Sequence, residues 1–186
     1  MTNQSRRQFL KTGALFGAAS AAAAVSAPAF STEAPQKWDE TTGLLIVGTG
    51  FAGCAAALEA HYLGAKKEEI MLVDKMSTPG GNSIINGGAV AAAGTDMQEK
   101  EGIKDSADLL FADIMKAGGG LCHPALARRI ADESVANFKW LRDDIGVQFK
   151  AVTYHGGHSV KRSHAVTNNS GSGFILPMLA KLKEFG

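Results

Sequence analysis

The stretch TTGLLIVGTGFAGCAAALEA, residues 41–60, decides the fold of this chain. Within it, residues 44–47 form a short apolar run that is typical of a strand buried on both faces of a sheet. Glycines follow the run at once, and an Ala-rich segment then predicts a helix over residues 52–63. A second buried strand is predicted over residues 70–74, after a turn at Gly64. Together these segments predict a strand-helix-strand unit with a parallel, right-handed crossover.

The glycines that join this strand to this helix have the spacing GxGxxG, at Gly48, Gly50 and Gly53. The first allows a tight turn, the second lets the backbone approach a pyrophosphate, and the third lets helix and strand pack closely. Asp74 ends the second strand, 21 residues beyond Gly53, where a carboxylate accepts hydrogen bonds from ribose hydroxyls and repels a 2′-phosphate. The spacing alone also occurs in ordinary strand-to-helix turns. In this context it predicts dinucleotide binding and disfavours NADP.

The segment after Asp74 indicates which dinucleotide is bound. An NAD-binding domain would continue into further strand-helix repeats, whereas this chain enters PGGNSIINGGAVAAAG, residues 79–94. Bare backbone in this segment can approach a large flat ligand, and Asn82 and Ser83 can form hydrogen bonds with it. The segment therefore favours FAD.

Three later helices are predicted, and the first two are interpreted as scaffold. The first begins after a Ser106 cap and ends at Gly118, and the second begins at Pro124 and ends at Gly146. The third either begins or kinks at Pro177. The apolar positions expected in the three helices are Ala107, Leu110, Phe111, Ile114 and Met115; Ile130, Phe138, Leu141 and Ile145; and Ile175, Met178, Leu179 and Leu182.

Several stretches together resemble a known family. LLIVGTGFAGCAAALEA, VDK, GGNS, NGGAVAAAGT and HPALARRIADESVANFKWLRDDIGVQF are similar to the flavoprotein part of the flavocytochrome c and soluble fumarate reductase family, from about Gly43 to the chain end. The resemblance implies an α/β fold, with a Rossmann-like FAD-binding domain of three layers and a mostly parallel sheet over residues 43–186. It also implies that the domain is incomplete in this chain, since the family has later strands and a capping domain.

The resemblance assigns the cofactor-binding positions. It makes Gly48, Gly50, Ala52 and Gly53 the pyrophosphate loop and Asp74 the acid that binds the adenosine ribose. The other implied positions are Lys75, Gly81, Asn82, Ser83, Gly87 and Gly88, of which Asn82, Ser83, Gly87 and Gly88 line the inner pyrophosphate and the isoalloxazine. Membrane-bound succinate dehydrogenase relatives attach FAD through a histidine in this segment. Residues 80–94 contain no histidine, so FAD is expected to be non-covalent.

The implied activity is reduction of an activated alkene, fumarate or a similar unsaturated carboxylate, by hydride transfer from flavin N5. No C-x-x-C-H pattern occurs in the 186 residues, which excludes covalent c-type haem on them and implies a separate periplasmic c-type cytochrome as electron donor. Two alternatives stay open: an FAD-dependent dehydrogenase such as a ketosteroid dehydrogenase, and a non-catalytic or partner-dependent FAD-binding chain. The catalytic residues of the family come from later regions, so the resemblance assigns no catalytic residue to this chain.

The first 29 residues predict a twin-arginine signal peptide. Arg6 and Arg7 precede an Ala/Gly-rich run that is too short to span a membrane, and Ala27-Pro28-Ala29 matches an A-x-A cleavage site. This signal implies the twin-arginine translocase as a partner and the periplasm as destination. Residues 30–42 are expected to form a linker.

Composition limits the function classes. With 45% apolar and 7% aromatic residues the chain is typical of about one soluble globular domain. Three of its 19 Lys and Arg residues lie in the predicted signal, which leaves 16 against 18 acidic residues beyond it, a net charge of about −2. That charge offers no field for nucleic acid.

Four further features contain residue types that can carry chemistry. His155 and His158 lack an acid or cysteine at ligand spacing, so no metal site is predicted. Arg162 and His164, in KRSHAVTNNSGSG, are expected either near the flavin or an anionic ligand, or in a solvated basic loop. Cys54 is expected to serve packing. Asp143-Asp144 is expected to be a solvated helix end.

Overall fold

The strand-helix-strand unit predicted from the opening stretch is present. A computed structural model describes residues 37–186, so the predicted signal and most of the predicted linker lie outside the described residues. Strand β1 (Leu44–Val47) pairs in parallel with β2 (Ile70–Val73), with Leu44 opposite Ile70 and Val47 opposite Val73. Helix α1 (Phe51–Tyr62) connects them, and a short 3-10 turn, Lys67–Glu69, leads into β2.

A second sheet follows, and none of its strands is predicted from the sequence. It contains β3 (Ala89–Ala91), β4 (Phe149–Thr153) and β5 (Ser163–Val166), in the order β3-β5-β4 with antiparallel pairing throughout. The α/β class is confirmed, but over residues 37–186 the sheets are mixed and the parallel pairing is confined to β1 and β2. β3 escapes sequence-based detection because alanine has low strand propensity and tertiary pairing with β5 holds it extended.

The helices are α1, α2 (Gly81–Ile84), α3 (Asp96–Lys100), α4 (Ala107–Ala117), α5 (Pro124–Lys139) and α6 (Ser172–Phe185). The Ser106 cap of α4 is confirmed, since its side chain accepts a hydrogen bond from Leu109 N at 3.2 Å. Helix α5 continues as a π-helical turn, Trp140–Asp144, before Gly146 with a φ of +83°. Helix α6 passes through Pro177 and begins before it, at Ser172.

The main core lies between α1, α6 and the π-helical turn. Its buried members are Cys54, Leu58, Leu141, Ile145, Val147, Val166, Phe174 and Met178. Cys54 is fully buried, which confirms its packing role, and burial raises the pKa of its thiol. A smaller cluster of Ala93, Leu110 and Ala131 joins α4 to α5, as the spacing in α4 predicts.

Two burial expectations are wrong. Ile130 is 60% exposed, because the buried face of α5 is the stripe of Ala127, Ala131, Ser134 and Phe138. Val47 is 77% exposed and Leu45 56%, because they share one face of β1 whereas α1 packs on the opposite face, where Ile46 lies close to Gly53. Within the same residues, no helix combines the length and apolar composition that crossing a bilayer requires.

Candidate cofactor-binding site

The loop between β1 and α1 requires glycine at two positions, at Gly48 for its backbone conformation and at Gly53 for space. Gly48 has a φ of +106° with open space where a Cβ would point, and its N–H donates to Val73 O at 2.7 Å. A Cβ at Gly53 would lie 1.8 Å from Gly48 O, so helix and strand pack as closely as the third glycine predicts. The loop thus presents bare backbone at the N-terminus of α1, where amides and the helix dipole favour an anion.

The N-terminus of α1 is joined to the segment after β2. Gly50 is the N-cap of α1 and supplies no side chain, and Phe51 N donates to the Ser83 hydroxyl at 3.0 Å. A Cβ at Gly50 would lie 3.3 Å from the same hydroxyl oxygen. Ala52 follows, exposed in the first turn. Ser83 therefore lies at the helix end where a pyrophosphate is expected, although it is 32 residues away in sequence.

Asp74 lies at the carboxyl end of β2, held by the neighbouring loop. Its Oδ2 accepts hydrogen bonds from the Thr49 hydroxyl and from Thr49 N, the latter at 2.7 Å, and its Oδ1 accepts one from Met76 N at 3.0 Å. The Thr49 hydroxyl is the largest of the causes that lower the pKa of Asp74 to about 2. Asp74 is therefore an ionised acceptor at neutral pH, as a ribose-binding acid must be.

The segment after Asp74 borders an open cleft. Gly80 and Gly81 both have positive φ, +109° and +48°, and turn the chain into α2. The cleft, of about 480 Å³, is lined by Lys75, Met76, Thr78, Pro79, Gly81, Asn82 and Ile84. Lys75, Gly81 and Asn82 thus line one cleft next to the Gly80 turn, and their contact with FAD stays a prediction.

Gly88 lies at a second site of close packing between two backbone segments, and Gly87 precedes it. Gly87 is exposed with open space around its Cα, whereas a Cβ at Gly88 would lie 2.5 Å from Ser170 N. A Cβ at Gly171 would lie 1.8 Å from Ser83 O. The segment between β5 and α6 therefore packs directly against the segment expected to line the flavin.

Asn86 holds these two segments together and is missed by sequence reasoning. Its amide donates to Ser83 O at 2.9 Å and accepts from Gly88 N at 2.7 Å, while its backbone carbonyl accepts from Gly171 N at 2.9 Å. The Ser170 hydroxyl adds a bond to Ile84 O at 3.1 Å. The signal that could have found this contact is NNSGSG, a second glycine-rich turn before a helix.

Arg162 and His164 do not lie in a solvated loop, and that expectation is wrong. Both are fully buried in and beside β5. The Arg162 guanidinium donates to both carboxylate oxygens of Asp105, at 3.0 and 2.8 Å, and its Nη1 lies 2.8 Å from Asp113 Oδ2. His164 Nε2 lies 2.8 Å from the Thr95 hydroxyl, and burial lowers the pKa of the imidazole. Arg162 is thus paired with two carboxylates and His164 Nε2 with one hydroxyl, whereas a position of either residue near the flavin stays a prediction.

The remaining candidate residues are exposed or half-buried. His155 is exposed and His158 is half-buried, and among residues 37–186 no group of three or more His, Cys, Asp or Glu side chains is arranged to hold a metal ion. Asp143 forms an ion pair with Arg142 at 2.7 Å at the end of the π-helical turn, consistent with a solvated helix end.

These features fit a dinucleotide with a pyrophosphate, and comparison with known proteins identifies the class. The model of the FAD-binding domain family matches residues 43–186, and the chain belongs to that family. Its cofactor is FAD. The fit is also local, since the loop that would receive the pyrophosphate admits no side chain at Gly53 and leaves open space at Gly48.

Individual relatives are flavoprotein oxidoreductases. The chain is 41% identical to the acrylate reductase flavoprotein subunit of Shewanella woodyi over 182 residues, which are 97% of this chain and 35% of that protein. An open conformation of a flavocytochrome c3 fumarate reductase superposes with a TM-score of 0.73 and 34% identity over 80% of this chain and 26% of that one. The 3-ketosteroid-Δ4-(5α)-dehydrogenase of Rhodococcus jostii has a TM-score of 0.72 over 83% of this chain and 38% of its own, at 23% identity, and shares the fold. The chain spans about a third or less of the length of these reductases.

Proposed function

We propose that this chain is the FAD-binding part of a reductase that acts on an activated alkene bearing a carboxylate, such as acrylate or fumarate. The observation that carries the proposal is the 41% identity with an acrylate reductase flavoprotein subunit along 97% of this chain. The similarity to a flavocytochrome c3 fumarate reductase supports the same reaction class. When bound, FAD supplies hydride chemistry at the flavin N5.

The residues of this chain would hold the cofactor by its phosphates and its adenosine ribose. The β1–α1 loop offers backbone N–H groups to the pyrophosphate, and Asp74 offers a carboxylate to the ribose. The backbone contacts around Gly88 and Gly171 hold the segment expected to line the flavin. Residues 80–94 contain no histidine, which supports a non-covalent FAD.

The proposal extends to location and electron donor. Arg6, Arg7 and the apolar run that follows support export through the twin-arginine translocase to the periplasm. A separate c-type cytochrome is proposed as the donor, because one relative is a flavocytochrome c3 fumarate reductase and another is named a flavoprotein subunit.

One alternative has a specific observation behind it. The acrylate reductase relative is named a flavoprotein subunit, which favours a partner-dependent flavoprotein over a self-sufficient enzyme. The ketosteroid dehydrogenase alternative rests on fold alone, at 23% identity.

The test is to purify the full-length protein and record its visible spectrum before and after acid precipitation. Flavin released into the supernatant would establish non-covalent FAD. Oxidation of reduced viologen is then followed with acrylate, fumarate and a 3-ketosteroid. Turnover with an unsaturated carboxylate supports the reductase. Bound flavin without turnover on any carboxylate, with or without added reduced c-type cytochrome, would reject it.

Export is tested separately. Replacing Arg6 and Arg7 by lysine should retain the protein in the cytoplasm, whereas the matched exchange Arg128→Lys should leave export unchanged. Periplasmic flavoprotein in the Arg6→Lys, Arg7→Lys variant would rule out the twin-arginine route.

A further inference from the structure

Thr49, the variable residue between the first two glycines of the motif, forms more polar contacts than a loop spacer requires. It is 8% exposed. Its hydroxyl donates to Asp74 Oδ2 and accepts from Gly80 N at 2.9 Å, and its backbone N–H donates to the same Asp74 oxygen at 2.7 Å. One side chain therefore joins the pyrophosphate loop, the acid at the end of β2 and the turn that begins the flavin-side segment.

These contacts leave the two oxygens of Asp74 unequal. A carboxylate has about four acceptor positions, two on each oxygen. Thr49 uses both positions of Oδ2, whereas Oδ1 accepts one bond, from Met76 N at 3.0 Å. The orientation of the carboxylate is thereby set by the protein, and Oδ1 is the oxygen with acceptor capacity left for a ligand hydroxyl.

We propose that Thr49 is a positioning residue for the adenosine half of FAD, acting through Asp74. Its hydroxyl holds the carboxylate in one orientation, so that Asp74 is ordered before the ribose arrives and no binding free energy is lost in ordering it. The inference rests on the assignment of Asp74 as the ribose acid in the proposed function. It does not depend on which alkene the enzyme reduces.

Binding measurements on the full-length protein, stripped of flavin, test the inference. The probes are FAD and ADP, and the variants are Thr49→Val, which removes the hydroxyl at nearly constant shape, and Thr49→Ser, which keeps it. Thr49→Val should raise the Kd of both probes about tenfold, the effect of losing a hydrogen bond to a charged group, and Thr49→Ser should restore both to within about threefold of wild type. An equal effect on FAD and ADP places the loss in the ADP half of FAD, as opposed to the flavin half.

A double-mutant cycle with Asp74→Ala separates positioning from a general structural effect. If Thr49 acts through Asp74, Thr49→Val should change the Kd less than about twofold further in the Asp74→Ala background. Additive effects, a Thr49→Val protein that binds ADP as well as wild type, or failure of Thr49→Ser to restore binding would each overturn the inference. A protein that binds FAD as expected but reduces no alkene would reject the proposed reaction and leave the role of Thr49 standing.

Discussion

Two regions of residues 37–186 contain polar groups with several hydrogen bonds or ion pairs, and the two regions use them differently. In the β1–α1 loop, backbone amides and glycines face open space at the end of α1, and Asp74 keeps one oxygen partly free. In the second region, Arg162 is fully buried and its guanidinium is shared between Asp105 and Asp113. The first region keeps hydrogen-bond donors and acceptors for a ligand, whereas in the second region the charge of Arg162 is paired with two carboxylates of the same chain.

The difference shows that a buried charge near a cofactor site is not by itself evidence of a bound anion. A buried arginine in an FAD-binding domain is easily interpreted as a ligand for an anion. Arg162, however, is already paired with the carboxylates of Asp105 and Asp113. Burial alone would raise the pKa of Asp113, yet hydrogen bonds from Ser159 and the charge of Arg162 lower it. Damage to the Arg162 cluster should therefore reduce folding stability, and damage to the loop should reduce FAD affinity.

The largest effect is expected from Arg162→Met. The substitution leaves Asp105 and Asp113 buried without a cation, which should lower the free energy of unfolding by about 3–5 kcal/mol in urea denaturation. Loss of the Arg162 charge should raise the pKa of Asp113 above its wild-type value, so the folded variant takes up a proton more readily and the deficit should shrink as the pH falls.

Arg128→Met is the matched control, since Arg128 forms exposed ion pairs with Asp108 and Asp132. Its cost should be about 0–1 kcal/mol. Equal losses in the two variants would mean that the Arg162 cluster is not the closed, internally paired region described above.

Gly53→Ala should damage both properties, because its Cβ would lie 1.8 Å from Gly48 O. Separating α1 from β1 should cost about 1–3 kcal/mol by overpacking and abolish flavin retention on purification. Gly43→Ala, whose Cβ would meet Glu69 O at an ordinary 3.4 Å, should retain flavin. A Gly53→Ala protein with full flavin content would contradict the loop geometry.

Comparison of Gly48→Ala with Gly64→Ala separates the effect of backbone strain on stability from an effect on FAD binding. Both glycines have positive φ, +106° and +97°, with open space around the missing Cβ. Each substitution should cost about 1–2 kcal/mol of stability through left-handed backbone strain. Only Gly48→Ala should also weaken FAD binding, measured by fluorescence titration; equal FAD affinities would remove Gly48 from the site.

Ser83→Ala should have the smallest effect. It removes the acceptor for Phe51 N, and one neutral hydrogen bond contributes about 0.5–1.5 kcal/mol. The variant should bind FAD a few-fold more weakly and remain folded, whereas Ser77→Ala, at an exposed position of the same segment, should match wild type. Indistinguishable titrations for the two variants would show that the hydroxyl has no part in cofactor binding.

Sequence reasoning succeeded where the structural requirement is local. The first strand, the Ser106 cap and the burial of Cys54 follow from short runs and spacings. It failed for β3, whose three small residues are extended only because β5 lies beside them, and for Ile130, which is one position off the buried stripe of α5.

The site divides in the same way. The glycine spacing and Asp74 could be identified from the sequence, because each depends only on one turn or on the end of one strand. Thr49 could not, because its hydrogen bonds reach residues 25 and 31 positions later. Asn86 and Gly171 could not either, because their contact depends on how the β5–α6 segment returns to the site.

Residue order alone predicts the α/β unit and the dinucleotide loop at Gly48, Gly50 and Gly53, and the segment after Asp74 favours FAD. These follow from backbone freedom and apolar periodicity, which act over a few residues. Only the tertiary structure decided that Arg162 pairs with Asp105, 57 residues earlier, and that Thr49 orients Asp74. Residue order alone does not specify which acid an arginine or a hydroxyl contacts, because that contact depends on the path of the folded chain.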